Sequence, residues 1–512
     1  MTVVTESPAR AGRREWIGLA VISIACVLYV MDLTVLHLAV PQLSADLQPS
    51  SSQLLWIIDI YGFMVAGALI TMGSLGDRIG RRKLLLIGAA AFGVASILAA
   101  FSTSAEMLIV TRAILGLAGA TLAPSTLSLI RSMFHDPKQR TRAIGIWITS
   151  FSAGGAIGPV AGGLMLEYFW WGSVFLLNVP VMALLLVLGP KLLPEYRDPD
   201  AGRADVPSAL LSVGALLSLV FGLKEIAQSG LSLTAAAALA VGALLGWLFV
   251  RRQGRLADPL IDLELFRNPS FSAAVATYGV GVFVVFGGFL FVPQYLQLAL
   301  GMSPLVAGLW TLPWAVAFIV GSNVTPLLMR WASPAVLMGW GLLLSAVGFA
   351  LMLAITPGSG LWLIVASSTL FSLGMSPLFT LTNDLIIGAA PPERAGAAAG
   401  ISETSAEVGG ALGIAVLGSI GVAFYRDGVE DSLPDGLSDG QAESARSTFG
   451  GALDVAAQLP ADVSRALTDA AAAAFTTGVH IGAAISAFAS LALAVYAFVW
   501  GRTTFAEPAS EE

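Results

Sequence analysis

Six charged side chains stand in otherwise apolar stretches of this chain: Asp32, Asp59, Arg112, Asp384, Glu403 and Glu407. An ionised group inside a hydrocarbon layer costs about 2.5–3.5 kcal/mol on insertion scales, so each needs a partner or a task. Glu403 and Glu407 are four residues apart in "ISETSAEVGG", which puts them on one face of a helix. Two carboxylates so placed repel when both are ionised, and either a proton or a cationic ligand relieves them. Asp32 lies deepest, about two helical turns before Pro41. Asp59 and Asp384 (beside Asn383) lie about one turn inside the ends of their stretches. Arg112 must be met there by a carboxylate or by backbone carbonyls. The chemistry such a set can do is exchange of protons for a cation.

Aromatic and Met side chains in the same stretches, Tyr29, Met31, Trp56, Tyr61, Trp310, Trp314 and Phe379, are candidates to line a cavity. Their ring faces suit flat cations. His37 is five residues from Asp32, on another helix face, and four before Pro41. It reads as an interfacial residue near the outer surface. Three scattered histidines (His37, His135, His480) and a single cysteine, Cys26, offer no metal-ligand spacing and no intramolecular disulfide. No nucleotide-binding loop, metal-ligand cluster, nucleophile triad or sizeable cytoplasmic domain supports a non-transporting receptor or a membrane enzyme, and no nucleic-acid partner is expected.

The elements that must position these residues are membrane helices. Of 512 residues, 56% are hydrophobic and 12% charged, with a mean hydropathy of +0.82; soluble chains carry about 25% charged residues. The start is basic, but the apolar run after it is too long for a cleaved leader and reads as a retained helix. Runs long enough to cross a bilayer fall near 16–38, 54–73, 84–102, 105–131, 142–166 and 170–189, then 207–225 and 232–250. Six more follow near 271–299, 304–329, 334–355, 360–388, 396–424 and 476–500. With a cytoplasmic N-terminus, fourteen spans put 21 of the 26 Lys and Arg residues inside and four outside, with Arg112 within a span. Both termini are then cytoplasmic.

The chain also repeats itself. "GGAIG" at 154–158 returns as "GGALG" at 409–413, and "VPQ" at 40–42 returns at 292–294. The reading is a cytoplasmic tail (1–15), a six-helix bundle (16–189), a linker carrying two inserted helices (190–270), a second six-helix bundle (271–500) and a cytoplasmic tail (501–512). The segment 425–475 holds nine acids against three arginines. It reads as two helices broken at Pro460, packed as an external hairpin through Phe449, Leu453, Val463 and Leu467.

The motifs resemble those of a known family. "GSLGDRIGRRKLL" at 73–85 resembles the signature loop of the major facilitator superfamily, G-x-L-x-D-x-x-G-R-[RK], at Gly73, Asp77, Gly80 and Arg81, with Arg78 between them. "RAILGLAGA" at 112–120 resembles its second motif, with Leu115 in place of a polar residue. "GGAIGPVAGG", carrying Gly154, Gly158, Pro159, Gly162 and Gly163, resembles the motif that separates exporters from importers. "LYVMDLTVLHLAVP" and "WIIDIY" are similar to stretches of the fourteen-helix drug:proton antiporters, with His37 replacing an asparagine. Phe318 stands where some relatives have an acid.

The resemblance implies an all-α membrane protein of 6+2+6 helices. It implies a monomer in a bacterial cell membrane that exports lipophilic cations, quaternary ammonium compounds among them. The proton gradient would drive export without a cofactor, Arg112 would take part in proton coupling, and the glycine motifs would shape the conformational cycle. Export of a native metabolite on the same fold is the alternative.

Overall fold

In the computed structural model of the chain, the described residues are 10–195, 197, 205–256, 259–356, 360–390, 395–430, 432–434, 437–499 and 501. Every regular element among them is helical. The first half comprises α1 (Arg13–Leu47), α2 (Ser51–Ile79), α3 (Arg81–Ala100), α4 (Ala105–Gly119), α5 (Leu122–Met133), α6 (Pro137–Tyr168), α7 (Ser173–Leu176) and α8 (Asn178–Leu192). The inserted pair is α9 (Val206–Ser229) and α10 (Leu233–Gln253). The second half comprises α11 (Pro269–Phe289), α12 (Phe291–Gln294), α13 (Pro304–Leu328), α14 (Pro334–Met352), α15 (Leu361–Gly388) and α16 (Ala395–Glu430), with α17 (Asp439–Ser447), α18 (Phe449–Ala456) and α19 (Ala461–Val499) closing the chain.

Helix starts follow local chemistry. Ser50, Ser104, Asp136, Asp205, Ser232 and Ser303 each accept a hydrogen bond from a backbone N–H three residues on. Proline follows the cap at Pro137, Pro269, Pro304 and Pro334, where its missing N–H costs nothing. Thirteen helical stretches are long and apolar enough to cross a membrane, and α6, bent by 40° between Arg142–Gly155 and Ile157–Tyr168, makes fourteen.

Two expectations need correction. The first span does not stop near Pro41: α1 runs on to Leu47 and closes with Gln48 in the left-handed conformation, its N–H donating to the Ser44 carbonyl. Pro41 removes a single N–H, and the helix continues past it. The external segment is not a simple two-helix hairpin. Its first arm is split into α17 and α18, where Thr448 caps a new helix by accepting from the Gly451 N–H. Its second arm is the leading end of α19, unbroken from Ala461 into the last span.

The repeat is visible in packing. Gly154 of α6 sits against the Val27 carbonyl of α1, and Gly409 of α16 sits against the Gly279 carbonyl of α11. Gly158 and Gly413 repeat the pattern against Met31 and Phe283. In each half the absence of a Cβ lets two helix backbones touch. The inserted α9 packs against both α2 and α16, burying Phe63, Val220, Ala411 and Ala415 together.

Candidate functional site

Two polar centres lie between the helices. The first is inside the N-terminal half. Arg112 Nη1 donates to Asp32 Oδ2 at 2.8 Å, Nε donates to the Ile57 carbonyl at 2.9 Å and Nη2 to the Ile58 carbonyl at 3.3 Å. Asp32 Oδ1 accepts from Asn178 Nδ2 at 3.1 Å, and the same amide reaches Ser96 Oγ at 3.2 Å. The guanidinium lies 5.1 Å from the Tyr61 ring centroid and 5.9 Å from that of Phe175. Both charged side chains are 1% exposed. The cation that the sequence required to be met is met by a carboxylate and by two carbonyls together.

The second centre is a cavity of about 320 Å³ between the two halves. Asp59 and Gly62 of α2, Trp147 and Phe151 of α6, Tyr278 and Phe286 of α11, Phe379 and Asn383 of α15, and Glu403 and Glu407 of α16 line it, with Leu33 of α1. Glu407 Oε1 accepts a 2.7 Å hydrogen bond from the Tyr29 hydroxyl, which ties the C-terminal half to the N-terminal one. Ser402 Oγ donates to Asn383 Oδ1 at 3.1 Å. Three carboxylates thus face a chamber walled by five aromatic rings together with aliphatic side chains.

The structure therefore divides the candidate residues. Asp59, Glu403 and Glu407 meet in the cavity. Asp32 and Arg112 do not line it and instead form the buried pair beneath Tyr61. Asn383 and Asp384 are both exposed, but Asn383 lines the cavity and Asp384 does not; one residue turns a helix by about 100°. Of the seven proposed lining residues only Phe379 lines the cavity. Tyr29 holds Glu407, Tyr61 donates to the Tyr29 carbonyl at 3.4 Å, and Met31 is buried against Gly158. Trp56 packs edge-on to Phe63 beside α9. Trp310 meets Trp362, and Trp314 stacks on Phe289 at 4.3 Å.

Phe318 stands behind the cavity wall, edge-on to Phe379 at 5.3 Å. The rings that do line the chamber, Trp147, Phe151, Tyr278 and Phe286, lie one or two turns from small-residue motifs in "GIWITSFSAGGAIG" and "TYGVGVFVVFGG", and that proximity was their only sequence signal. His37 is also corrected. It is 3% exposed and edge-on to Phe289 of the other half, because α1 continues ten residues beyond it.

The glycine motifs lie at contacts between segments. Gly80 adopts φ +110°, and a Cβ there would stand 2.5 Å from Glu195. Glu195 accepts from the Arg82 backbone N–H at 3.0 Å and pairs with its side chain at 3.5 Å, and Arg82 also donates to the Leu193 carbonyl at 3.0 Å. Arg81 is buried against Gly76, Gly73 lies near Pro124, and Arg78 is exposed. The Asp77 side chain lies outside the described residues. On α6, Gly162 packs on Val35 of α1. Pro159 and Gly163 instead cross the divide: the Pro159 carbonyl touches Gly308 of α13, and a Cβ on Gly163 would lie 2.6 Å from the Pro304 carbonyl. The halves are in backbone contact at the end of the bundle reached by Leu47, Tyr168 and Pro304.

Two similar helical halves that touch at one end and enclose a chamber holding three carboxylates have the form of a membrane transporter. Residues 22–414 match the Major Facilitator Superfamily, and the chain belongs to it. It is 46% identical over 491 residues to the multidrug efflux pump LfrA of Mycolicibacterium smegmatis, spanning 96% of this chain and 97% of that one. It is 35% identical to the methyl viologen resistance protein SmvA of Salmonella typhimurium, over 95% of this chain and 98% of that one. The tetracenomycin C resistance and export protein of Streptomyces glaucescens is 33% identical, over 99% and 96%. The fold is shared with a solved bacterial homolog of the human lysosomal transporter Spinster, at a TM-score of 0.68 and 18% identity, covering 98% of this chain and all of that one. The chain is a multi-pass transporter of a bacterial cell membrane.

Proposed function

We propose that the chain is a proton-coupled antiporter that exports lipophilic cations, quaternary ammonium compounds among them. The observation that carries this reading is the cavity itself: Asp59, Glu403 and Glu407 among Trp147, Phe151, Tyr278, Phe286 and Phe379. Rings supply cation–π attraction and apolar area to a bulky organic cation. The carboxylates supply charge, and each can be neutralised by a proton instead of by the ligand. Names of relatives support the same chemistry, since methyl viologen is a flat aromatic cation.

With the N-terminus cytoplasmic, the Gly163–Pro304 contact lies on the outer side and shuts the chamber there. The cation enters from the inside and settles on the ionised carboxylates. The halves then rock, and protons arriving from outside take its place. Glu403 and Glu407, four residues apart, cannot both stay ionised at low cost once the cation leaves, so proton binding follows departure. Tyr29 fixes Glu407 across the divide and makes its occupancy sensible to both halves. Asp32 and Arg112 act one layer back, through Tyr61 and Tyr29. One proton against one monovalent cation moves no net charge, and a second would add about 2.3 kcal/mol per 100 mV.

Everted vesicles with an acid lumen test this reading. Tetraphenylphosphonium added to the bath is expected to release lumenal protons in the wild type and not in Glu407→Gln. An absence of cation-evoked release in the wild type overturns the antiport reading. Normal release in both Glu403→Gln and Glu407→Gln overturns the site assignment.

A further inference from the structure

Between the cavity and the closed end lies a layer that the transport reading leaves unused. Along α1, His37 is one turn beyond the cavity residue Leu33. Along α11, Phe289 is one turn beyond the cavity residue Phe286, and it ends the regular helix before α12 and a π-turn at Tyr295–Ala299. Along α13, Trp314 is two turns inward of the Gly308 contact. The three rings form one stack across the divide: His37 edge-on to Phe289 at 6.5 Å, and Phe289 face-on to Trp314 at 4.3 Å. Two polar atoms are trapped in it, His37 Nδ1 and Trp314 Nε1, both buried without a hydrogen-bond partner. The backbone adds a third weakness, because Pro41 has no N–H to give the His37 carbonyl.

A buried polar group without a partner costs about 1–3 kcal/mol, so two of them in one layer weaken it as a seal. We infer that His37, Phe289 and Trp314 form an outer seal built to be metastable. The two nitrogens are dehydrated while the halves are shut and regain water when they part, which biases the empty carrier toward outward opening. The inference rests on the transporter reading and on its orientation. It turns on polar atoms at two named positions, His37 and Trp314.

Distances between spin labels at Tyr168→Cys on α6 and Trp362→Cys on α15, both exposed in the wild type, report outer-side opening without any substrate. They are read in a Cys26→Ala background, which removes the sole cysteine. His37→Leu is expected to lower the outward-open fraction of purified, ligand-free protein by about 5- to 140-fold, and Trp314→Phe to lower it in the same direction. His37→Asn, which restores a polar side chain, should stay near the wild-type distribution. An unchanged or larger open fraction in both His37→Leu and Trp314→Phe overturns the inference, as does a wild type with no detectable open fraction. If one variant fails to fold, the other decides. Because no cation or proton gradient enters the measurement, its outcome is separate from that of the vesicle test.

Discussion

The Asp32–Arg112 pair makes the sharpest energetic prediction. At 2.8 Å, and with an effective dielectric of about 20, the Coulomb attraction is roughly 6 kcal/mol, against which both ions have lost their water. Breaking one side of such a pair costs about 3–5 kcal/mol, because the other charge is left buried. Asp32→Leu should fall toward the lower end. Arg112 would keep the Ile57 and Ile58 carbonyls and the Tyr61 face, although it cannot shed its proton. Arg112→Met leaves Asp32 with Asn178 as its only remaining donor among the described residues and should fall toward the upper end.

The double variant Asp32→Leu/Arg112→Met removes both charges together. It should therefore be more stable than the sum of the singles by about 3 kcal/mol or more. Equilibrium unfolding in mixed dodecylmaltoside–SDS micelles, followed by tryptophan fluorescence, gives the cycle. Distant sites add within about 0.5 kcal/mol. A coupling that small would refute the view that the pair is one electrostatic unit, whatever it does in transport.

Other expectations follow from single contacts. Gly163→Ala places a Cβ against the Pro304 carbonyl, an overpacking worth about 1–3 kcal/mol; it should hold the outer side open and lower efflux, read as thiol labelling of Tyr168→Cys-type probes and as dye export. Phe151→Leu and Phe379→Leu should each weaken binding of a flat cation about 2- to 30-fold, while Trp310→Leu, outside the cavity, should leave it unchanged in a fluorescence titration. Asp205 caps α9, accepts from Ser208 and pairs with Arg252 at 2.9 Å. Burial raises its proton affinity, but the hydrogen bonds from Arg252 and Ser208 outweigh that and hold the carboxyl below its ordinary range. The stabilisation is therefore present above about pH 4 and lost as pH falls through the lowered value. Thermal unfolding should show Asp205→Asn weaker than wild type at pH 7, with the gap closing in acid.

How much of this was legible in the sequence depends on the kind of signal. The spans, the repeat and the loop glycines are written in residue type and spacing, which a bilayer enforces strongly. Arg112's need for a partner was legible too, since a buried guanidinium cannot be neutral. Facing was not. In a soluble helix the apolar stripe marks the inside, but here lipid-facing and core-facing surfaces are both apolar. Trp147 and Trp310 look alike on paper, yet one lines the cavity and the other meets Trp362. Asn383 and Asp384 show the same limit at single-residue resolution. His37 was misplaced for a different reason: Pro41 looks like a terminus, and only the packed neighbours of α1 show that the helix survives it.

The inserted α9 has a consequence for the surrounding lipid. With its Val220 fully buried together with Phe63 of α2 and Ala415 of α16, the line where α2 meets α16 is insulated by the protein's own chain. On that flank the exposed apolar side chains of α9, Leu210 and Phe221 among them, stand outside the joint and offer lipid a fixed surface in its place.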